Sequence, residues 1–250
     1  RQNSIDLDYS AIARNSHQLK TRNFIKKSKY IKPYINYNMY GTKTGRMTTR
    51  KGYFPILTLD GEYRSILKPK NNYFVEFDYN AAELRVLLGL SGKTQPQEDI
   101  HQWNIDNIYR GIGSRDEAKK RIFAWLYNPK SKDLLSSRHY DRDGIIRKYW
   151  NGQVIITPMN RVIQADKHHA LNYLIQRTTS DVVLSRAFKD KKSFISFTLH
   201  DSIVIDFEDS ERELIGEMLN IFSDTPFGKF KVNLSAGKSY GEMGRIEWTQ

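Results

Sequence analysis

The chain has 250 residues, enough to bury a substantial core in one or two domains. Its 40 Lys and Arg against 28 Asp and Glu leave a formal charge of +12, which suits a polyanionic partner, because cations that neutralise phosphates release counterions. Without cysteine there is no disulfide, no thiolate catalysis and no cysteine-bound zinc, and no apolar run approaches the roughly 20 residues of a membrane-spanning helix.

The opening Arg1-Gln2-Asn3-Ser4 is polar, lacks an initiator Met and shows no signal-peptide pattern, as expected of a fragment of a longer polypeptide. Residues 1–32 are polar and basic, with Lys20, Arg22, Lys26, Lys27 and Lys29 clustered after a helix-like stretch that begins at Tyr9. They fit either the base of a DNA-gripping element or a solvated tail. Turns are expected at Tyr40-Gly41 and Thr44-Gly45, and strands over 63–67 and 73–77. A helix over 81–90 ends at Gly92. Helices over 102–109 and 115–127 form a basic, aromatic block that Asn128-Pro129 stops. A helix over 133–149, a short β-like run over 153–158 and a long helix over 170–188 follow. A hairpin over 194–207 and a last helix over 211–222 complete the chain. Scattered strands with helices grouped separately make an α+β pattern.

Two aspartates stand where apolar runs give way to polar chain. Asp78 closes Tyr73-Phe74-Val75-Glu76-Phe77, and Asp201 sits in the polar turn of the hairpin. Strands from remote segments commonly become neighbours in one sheet. Two carboxylates at strand ends could then share hard divalent cations, the minimal equipment for two-metal phosphoryl transfer. Taken singly, Asp78 reads better as a cap of the following helix and Asp201 as a turn residue.

Arg115, Lys119, Phe123 and Tyr127 recur every fourth residue, which places them on one face of a helix. Cations at the positive N-terminal end followed by aromatics suit a nucleoside triphosphate lying along that face. Arg115 and Lys119 would hold phosphates, Phe123 the sugar and Tyr127 the nascent base pair. On spacing alone, an exposed basic stripe with two core-facing aromatics is the stronger reading.

A resemblance reverses that balance. Asp78-Tyr79-Asn80-Ala81-Ala82-Glu83-Leu84-Arg85 resembles the DYSQIELR motif of family A DNA polymerases, and Leu199-His200-Asp201-Ser202 resembles their VHDE. Residues 115–127 resemble the fingers-helix motif R-x3-K-x3-F-x3-Y, Asp99-Ile100-His101 the DIH before it, and Thr44-Gly45-Arg46-Met47-Thr48-Thr49 the motif TGRLSS. Thr157, Arg161, Asn172, Gln176 and Asp181 fall as in T-x3-R…N-x3-Q-x4-D. All six matches are collinear with the family pattern over about residues 40–207.

The resemblance implies a right-hand architecture with an antiparallel palm sheet, helical fingers inserted into it and a short or missing thumb. The expected division is 1–32 as thumb remnant or extension, 33–90 and 151–250 as palm, and 91–150 as fingers. It implies Asp78, Asp201 and the backbone carbonyl of Tyr79 as ligands of two Mg²⁺ ions, for which Mn²⁺ can substitute, with Lys119 beside them in catalysis. Arg115, Lys119, Phe123, Tyr127 and His101 become deoxynucleotide contacts, and Glu83 becomes the residue that excludes a ribose 2′-hydroxyl. Arg46, Arg161, Asn172, Gln176 and His200 become contacts to DNA, where minor-groove acceptors are present at every base pair. The expected partners are primer–template DNA, deoxynucleoside triphosphates and a processivity or replisome factor, with no membrane. The expected setting is the cytoplasm of a bacterium or phage-infected host, with a phage-like source.

The chain also departs from the pattern. Ser202 replaces the glutamate of HDE, Ala81-Ala82 replace Gln-Ile, and Ala124 and Asn128 replace glycines of the fingers helix. Pro55-Ile56-Leu57-Thr58 stands where LQNIP is usual. The expected activity is template-directed addition of deoxynucleotides to a primer 3′-hydroxyl in replication or repair. A single-subunit RNA polymerase is the rival within enzymes, which Glu83 opposes. An inactive nucleic-acid-binding module is the rival outside them.

Overall fold

The computed structural model describes residues 4–39, 41–186 and 192–248. Its centre is a five-stranded antiparallel sheet built from β1 (Tyr73–Tyr79), β2 (Phe194–Leu199), β3 (Ser202–Phe207), β4 (Val232–Gly237) and β5 (Gly244–Ile246). The spatial order is β5-β4-β1-β3-β2, so the strand that carries Asp78 lies in the middle, between β4 and β3. β1 is rich in aromatic and β-branched residues, the composition that fits a pleated, half-buried surface. Side chains alternate across a strand, and the two faces of this sheet differ accordingly.

Val75, Phe77 and Tyr79 of β1 join Ile203, Ile205 and Phe207 of β3 in one apolar cluster, covered by helices. These are α2 (Ala82–Leu90), α7 (Ala170–Leu184) and α8 (Leu214–Ser223). The same cluster takes in Ile100, Ile122, Trp125 and Tyr140 of the helical block. That block comprises α3 (Ile100–Asn107), α4 (Arg115–Tyr127), α5 (Leu134–Tyr140) and α6 (Arg142–Tyr149). On the opposite face, Phe74, Phe197 and Val204 pack with Ile5, Ile12, Phe54 and Tyr63 from the N-terminal segment. That segment contains α1 (Leu19–Ser28), whose Phe24 stacks on Tyr63 at 4.2 Å between ring centroids. It is a cover on the sheet and not a solvated tail.

Sequence and structure differ at several elements. The stretch over 63–67 is a 3₁₀ helix, Gly61–Ile66, followed by the two-residue strand Leu67–Lys68. The helix from Tyr9 is also 3₁₀, Tyr9–Asn15. The single helix over 133–149 is two, because Asp141 adopts a left-handed conformation (φ 42°) and its side chain accepts from the Gly144 N–H to start α6. The last helix begins at Leu214, after a 3₁₀ turn over Asp209–Glu211. The helix expected over 170–188 ends at Leu184; its expected end at Phe188, like the turn residue Tyr40, lies outside the described residues. β4, β5 and the strand Val162–Gln164, which pairs with Val154–Ile156, were not anticipated. No helix among the described residues is long and apolar enough to cross a membrane.

Candidate active site

Register brings the two aspartates together. In the β1–β3 ladder Asp78 lies opposite Ser202, and the Tyr79 N–H donates to the carbonyl of Asp201 at 3.3 Å. His200 takes a left-handed conformation (φ 44°) that lets the chain turn within His200-Asp201. Asp201 is thus both the turn residue and the neighbour of Asp78. Asp78 caps no helix: the N-cap of α2 is Ala81, itself left-handed, with no side-chain cap bond.

Glu76 shares a face with Asp78, two residues away along β1, and its carboxylate accepts from the Ser202 hydroxyl at 2.8 Å. Asn233 of β4 donates to Asp78 at 3.4 Å. Burial, followed by the charges of Asp201 and Glu76, pushes the Asp78 pKa up to about 7. Burial also raises Asp201 and Glu76 above the ordinary carboxylate range. Clustered carboxylates that repel one another in partial burial suit a hard cation, and Mg²⁺ needs only one or two of them besides substrate phosphates. Among the described residues no three acidic, histidine or cysteine side chains converge on one metal position. Tyr79 points the other way: its ring stacks on Phe222 at 4.1 Å and its hydroxyl donates to the Phe222 carbonyl at 2.6 Å. Only its backbone borders the site.

The opposing wall is α4. It starts in a reciprocal capping box between Ser114 and Glu117, which fixes where the four-residue periodicity begins. Phe123 and Tyr127 lie parallel, with centroids 5.9 Å apart. Lys119 is exposed on this face, and its charge acts on both Asp78 and Asp201. Arg115 donates to Asp99 at 2.7 Å. Burial would raise the Asp99 pKa, but Arg115, Asn80 and the Gln102 N–H outweigh it and hold Asp99 well below its usual range. His101 is buried against Phe123, 6.0 Å between centroids, and burial lowers its pKa to about 4. Its imidazole is therefore neutral at pH 7.

A cavity of about 260 Å³ lies between these walls, lined by Arg46, Glu83, Phe123, Gln176, His200 and Asp201 among others. Arg46 and Glu83 form an ion pair inside it. Burial raises the Glu83 pKa against the lowering effect of Arg46. The loop bearing Arg46 is held to α7 by Ser180, which donates to the Gly45 carbonyl at 3.0 Å. Gly45 has φ 70°, a left-handed conformation that favours glycine, and a Cβ there would displace the Arg177 side chain.

Of the residues singled out from sequence, Asp201, Glu83, Arg46, Phe123, Gln176 and His200 meet at this cavity, with Asp78 next to Asp201 and Lys119 within electrostatic reach. Tyr127 and His101 pack against the lining residue Phe123, while Arg115 and Asn172 are not in the lining. The Asn172 side-chain carbonyl is buried and unpartnered among the described residues. Arg161 is farther away: it pairs with Asp181 at 3.6 Å and lines a separate depression with Met159 and Arg177.

No family model matches the chain. Over 81% of its length it is 23% identical to DNA polymerase I of Borreliella burgdorferi, of which it spans 29%. It superposes, over 91% of its length with a TM-score of 0.72 and 15% identity, on the polymerase domain of Pol1 from M. smegmatis in complex with DNA primer–template and dNTP. It covers 52% of that chain. The chain therefore shares the fold of the Pol1 polymerase domain.

Within that fold, three residues that sequence reading left without a role organise the site. Arg85 is fully buried in α2 and donates to the carbonyls of Asn80, Pro96 and Glu98 and to the Asn80 side chain. Asn80 in turn donates to Asp99 at 2.8 Å and accepts from the Ile100 N–H. This chain of contacts ties the strand end at Asp78 to the helix that holds His101 and to Arg115. A charge inside the apolar run Leu84-Arg85-Val86 was the available signal, since a buried arginine requires partners. Glu76 was legible in the same way, as a second carboxylate on the Asp78 face.

Proposed function

We propose that this chain is the catalytic core of a DNA-directed DNA polymerase, which adds deoxynucleotides to a primer 3′-end on a DNA template. The observation that carries the reading is the adjacency of Asp78 and Asp201 at one sheet end, facing the Lys119–Phe123 side of α4 across a cavity. The similarity to DNA polymerase I and the fold shared with a primer–template-bound polymerase domain support it. In this reading residues 33–90 and 151–250 are palm, 91–150 are fingers and 1–32 are an extension that covers the sheet.

Asp78 and Asp201 would hold the divalent cations, Mg²⁺ or Mn²⁺, with the Tyr79 carbonyl at the edge. Their mutual repulsion fits that donor set. When bound, such a pair lowers the pKa of a hydroxyl nucleophile and stabilises charge on the transferring phosphoryl group. Lys119 neutralises developing charge on the phosphates, and Arg115 joins it by exchanging Asp99 for a phosphate oxygen. His101 contributes as a neutral N–H donor. Phe123, backed by Tyr127, packs against the sugar and base. Glu83 occupies the space that a 2′-hydroxyl would need. Arg46, Gln176, Asn172 and His200 contact the duplex near the primer end, and Arg161 contacts it farther out. A processivity factor is a further expected partner.

Primer extension with purified protein, Mg²⁺ and each nucleotide set separates the readings. Templated incorporation of deoxynucleotides is the expected result. Preferred use of ribonucleotides would move the assignment to a single-subunit RNA polymerase, and salt-dependent DNA binding without extension would move it to a binding module.

A further inference from the structure

We infer that Glu76 supplies the third negative charge of the proposed metal centre, in place of the glutamate that this chain lacks at position 202. The inference rests on the polymerase reading above and adds a positioning residue to it. The residue after the hairpin aspartate is Ser202, so the centre loses one carboxylate relative to the pattern the chain resembles. Ser202 lies directly opposite Asp78 in the ladder, and Glu76 opposite Val204, one step diagonally away on the same face.

The Ser202 hydroxyl donates to the Glu76 carboxylate at 2.8 Å and so fixes its orientation. Tyr240 and Arg64 also bear on Glu76, and Arg64 is itself placed over the Tyr240 ring at 5.0 Å. None of the described ion pairs includes Glu76, although it is half-buried in the middle strand of the sheet. The Ser202 and Tyr240 hydroxyls and the charge of Arg64 only partly offset the cost of burying it there. Its charge reaches Asp78. With no three ligands converging on one position among the described residues, Glu76 acts a layer out, through its field and the Ser202 hydroxyl, and not by direct ligation.

Mn²⁺ binding to the full chain, followed by electron paramagnetic resonance without DNA or nucleotide, tests this. Glu76→Gln keeps the acceptor for Ser202 and removes only the charge. It should weaken Mn²⁺ binding by about fivefold, the scale of one partly screened unit charge several ångströms away, with the melting temperature in EDTA undiminished. Glu76→Asp, which keeps the charge, should retain at least half the affinity, and Ser202→Glu in the Glu76→Gln background should restore it. Unchanged affinity in Glu76→Gln, alongside loss of binding in Asp78→Asn, overturns the role of Glu76 alone. Unchanged affinity in both variants removes the metal-centre reading itself. Weakened binding that comes with a lower melting temperature in EDTA, or that Glu76→Asp shares in full, makes Glu76 structural and overturns the inference.

Discussion

The sheet end that carries Asp78 and Asp201 and the helix face that carries Lys119 and Phe123 look onto one cavity, yet they are built by opposite rules. The sheet side is assembled from strands far apart in sequence, and only register makes its carboxylates neighbours. The helix side is local, set by a capping box and a four-residue repeat. Their electrostatics are opposed too. Burial and mutual repulsion push the Asp78 pKa up to about 7, while burial beside cations pulls that of His101 down to about 4. The sheet side gathers carboxylates and the helix side carries the exposed Lys119, the complement of a cation and a polyphosphate together.

The strongest way to break that comparison is to neutralise the sheet side. Asp78→Asn or Asp201→Asn should lower primer extension at least about 10³-fold, because lost metal coordination removes several kcal/mol of transition-state stabilisation, while primer–template affinity stays within a few-fold. The same change should have the opposite effect on metal-free stability. A carboxyl whose pKa is raised on folding contributes stability that is complete below about pH 4 and lost as pH rises through about 7. In EDTA at pH 8, Asp78→Asn should therefore melt higher than wild type, with a gain of up to about 4 kcal/mol. Near wild-type extension in either variant would remove the two-metal assignment.

On the helix side the pH dependence has the reverse sign. His101 has its pKa depressed, so its contribution is complete above about 6.5 and lost as pH falls through about 4. Between those values the protein should lose about 3 kcal/mol of stability from this group. His139, half-buried, has its pKa lowered by desolvation to about 4 and adds its own share. His101→Phe should flatten the acid limb of a denaturant-melt series. An unaltered limb would mean that His101 is not buried as a neutral ring.

Lys119→Ala tests the reach of the helix across the cavity. Its loss should cost about 100-fold in kcat/KM for deoxynucleotides, roughly 2.7 kcal/mol, with Lys119→Arg partly restoring it. A purely thermal effect with normal kinetics would make the residue a solvated surface lysine.

The same contrast explains what sequence reading could reach. The helix over 115–127 is found at its observed ends, because period, Ser114-x-x-Glu117 and Asn128-Pro129 all lie within one window. Asp78 and Asp201 could be seen at strand ends, and the family-like motifs around them suggested their partnership. The direct partner of Asp78 across the sheet, Asn233, could not be seen, since β4 carries only the short run Val232-Asn233-Leu234 and pairs with a strand some 150 residues earlier. The break at Asp141 was hidden for another reason: nothing in the helical composition on either side announces a left-handed aspartate. Arg85 stands inside a family-like motif, yet its job, clamping Asn80 to the 96–98 loop, depends on tertiary contacts that no sequence window contains.

The smallest effect bears on the sharpest chemical claim, which concerns Glu83, the acidic residue that lines the cavity with Asp201. Glu83 lies in the cavity with Arg46 across it and Phe123 on the facing helix. Tyr127 is stacked behind Phe123 and is not itself in the lining. If Glu83 fills the space beside the sugar, Glu83→Ala should lower discrimination between deoxy- and ribonucleotides by at least about tenfold, only roughly 1.4 kcal/mol of differential transition-state binding. The substitution also releases Arg46 from its ion pair, so Arg46→Ala is the necessary companion. It should weaken primer–template use while leaving sugar discrimination intact, since it removes the partner and keeps the obstruction. Measuring kcat/KM for both triphosphates in wild type and the two variants separates the roles. A ratio unchanged in Glu83→Ala would make Glu83 a simple counterion for Arg46 and would reopen the single-subunit RNA polymerase reading, because nothing else acidic lines that wall beside Asp201 among the described residues.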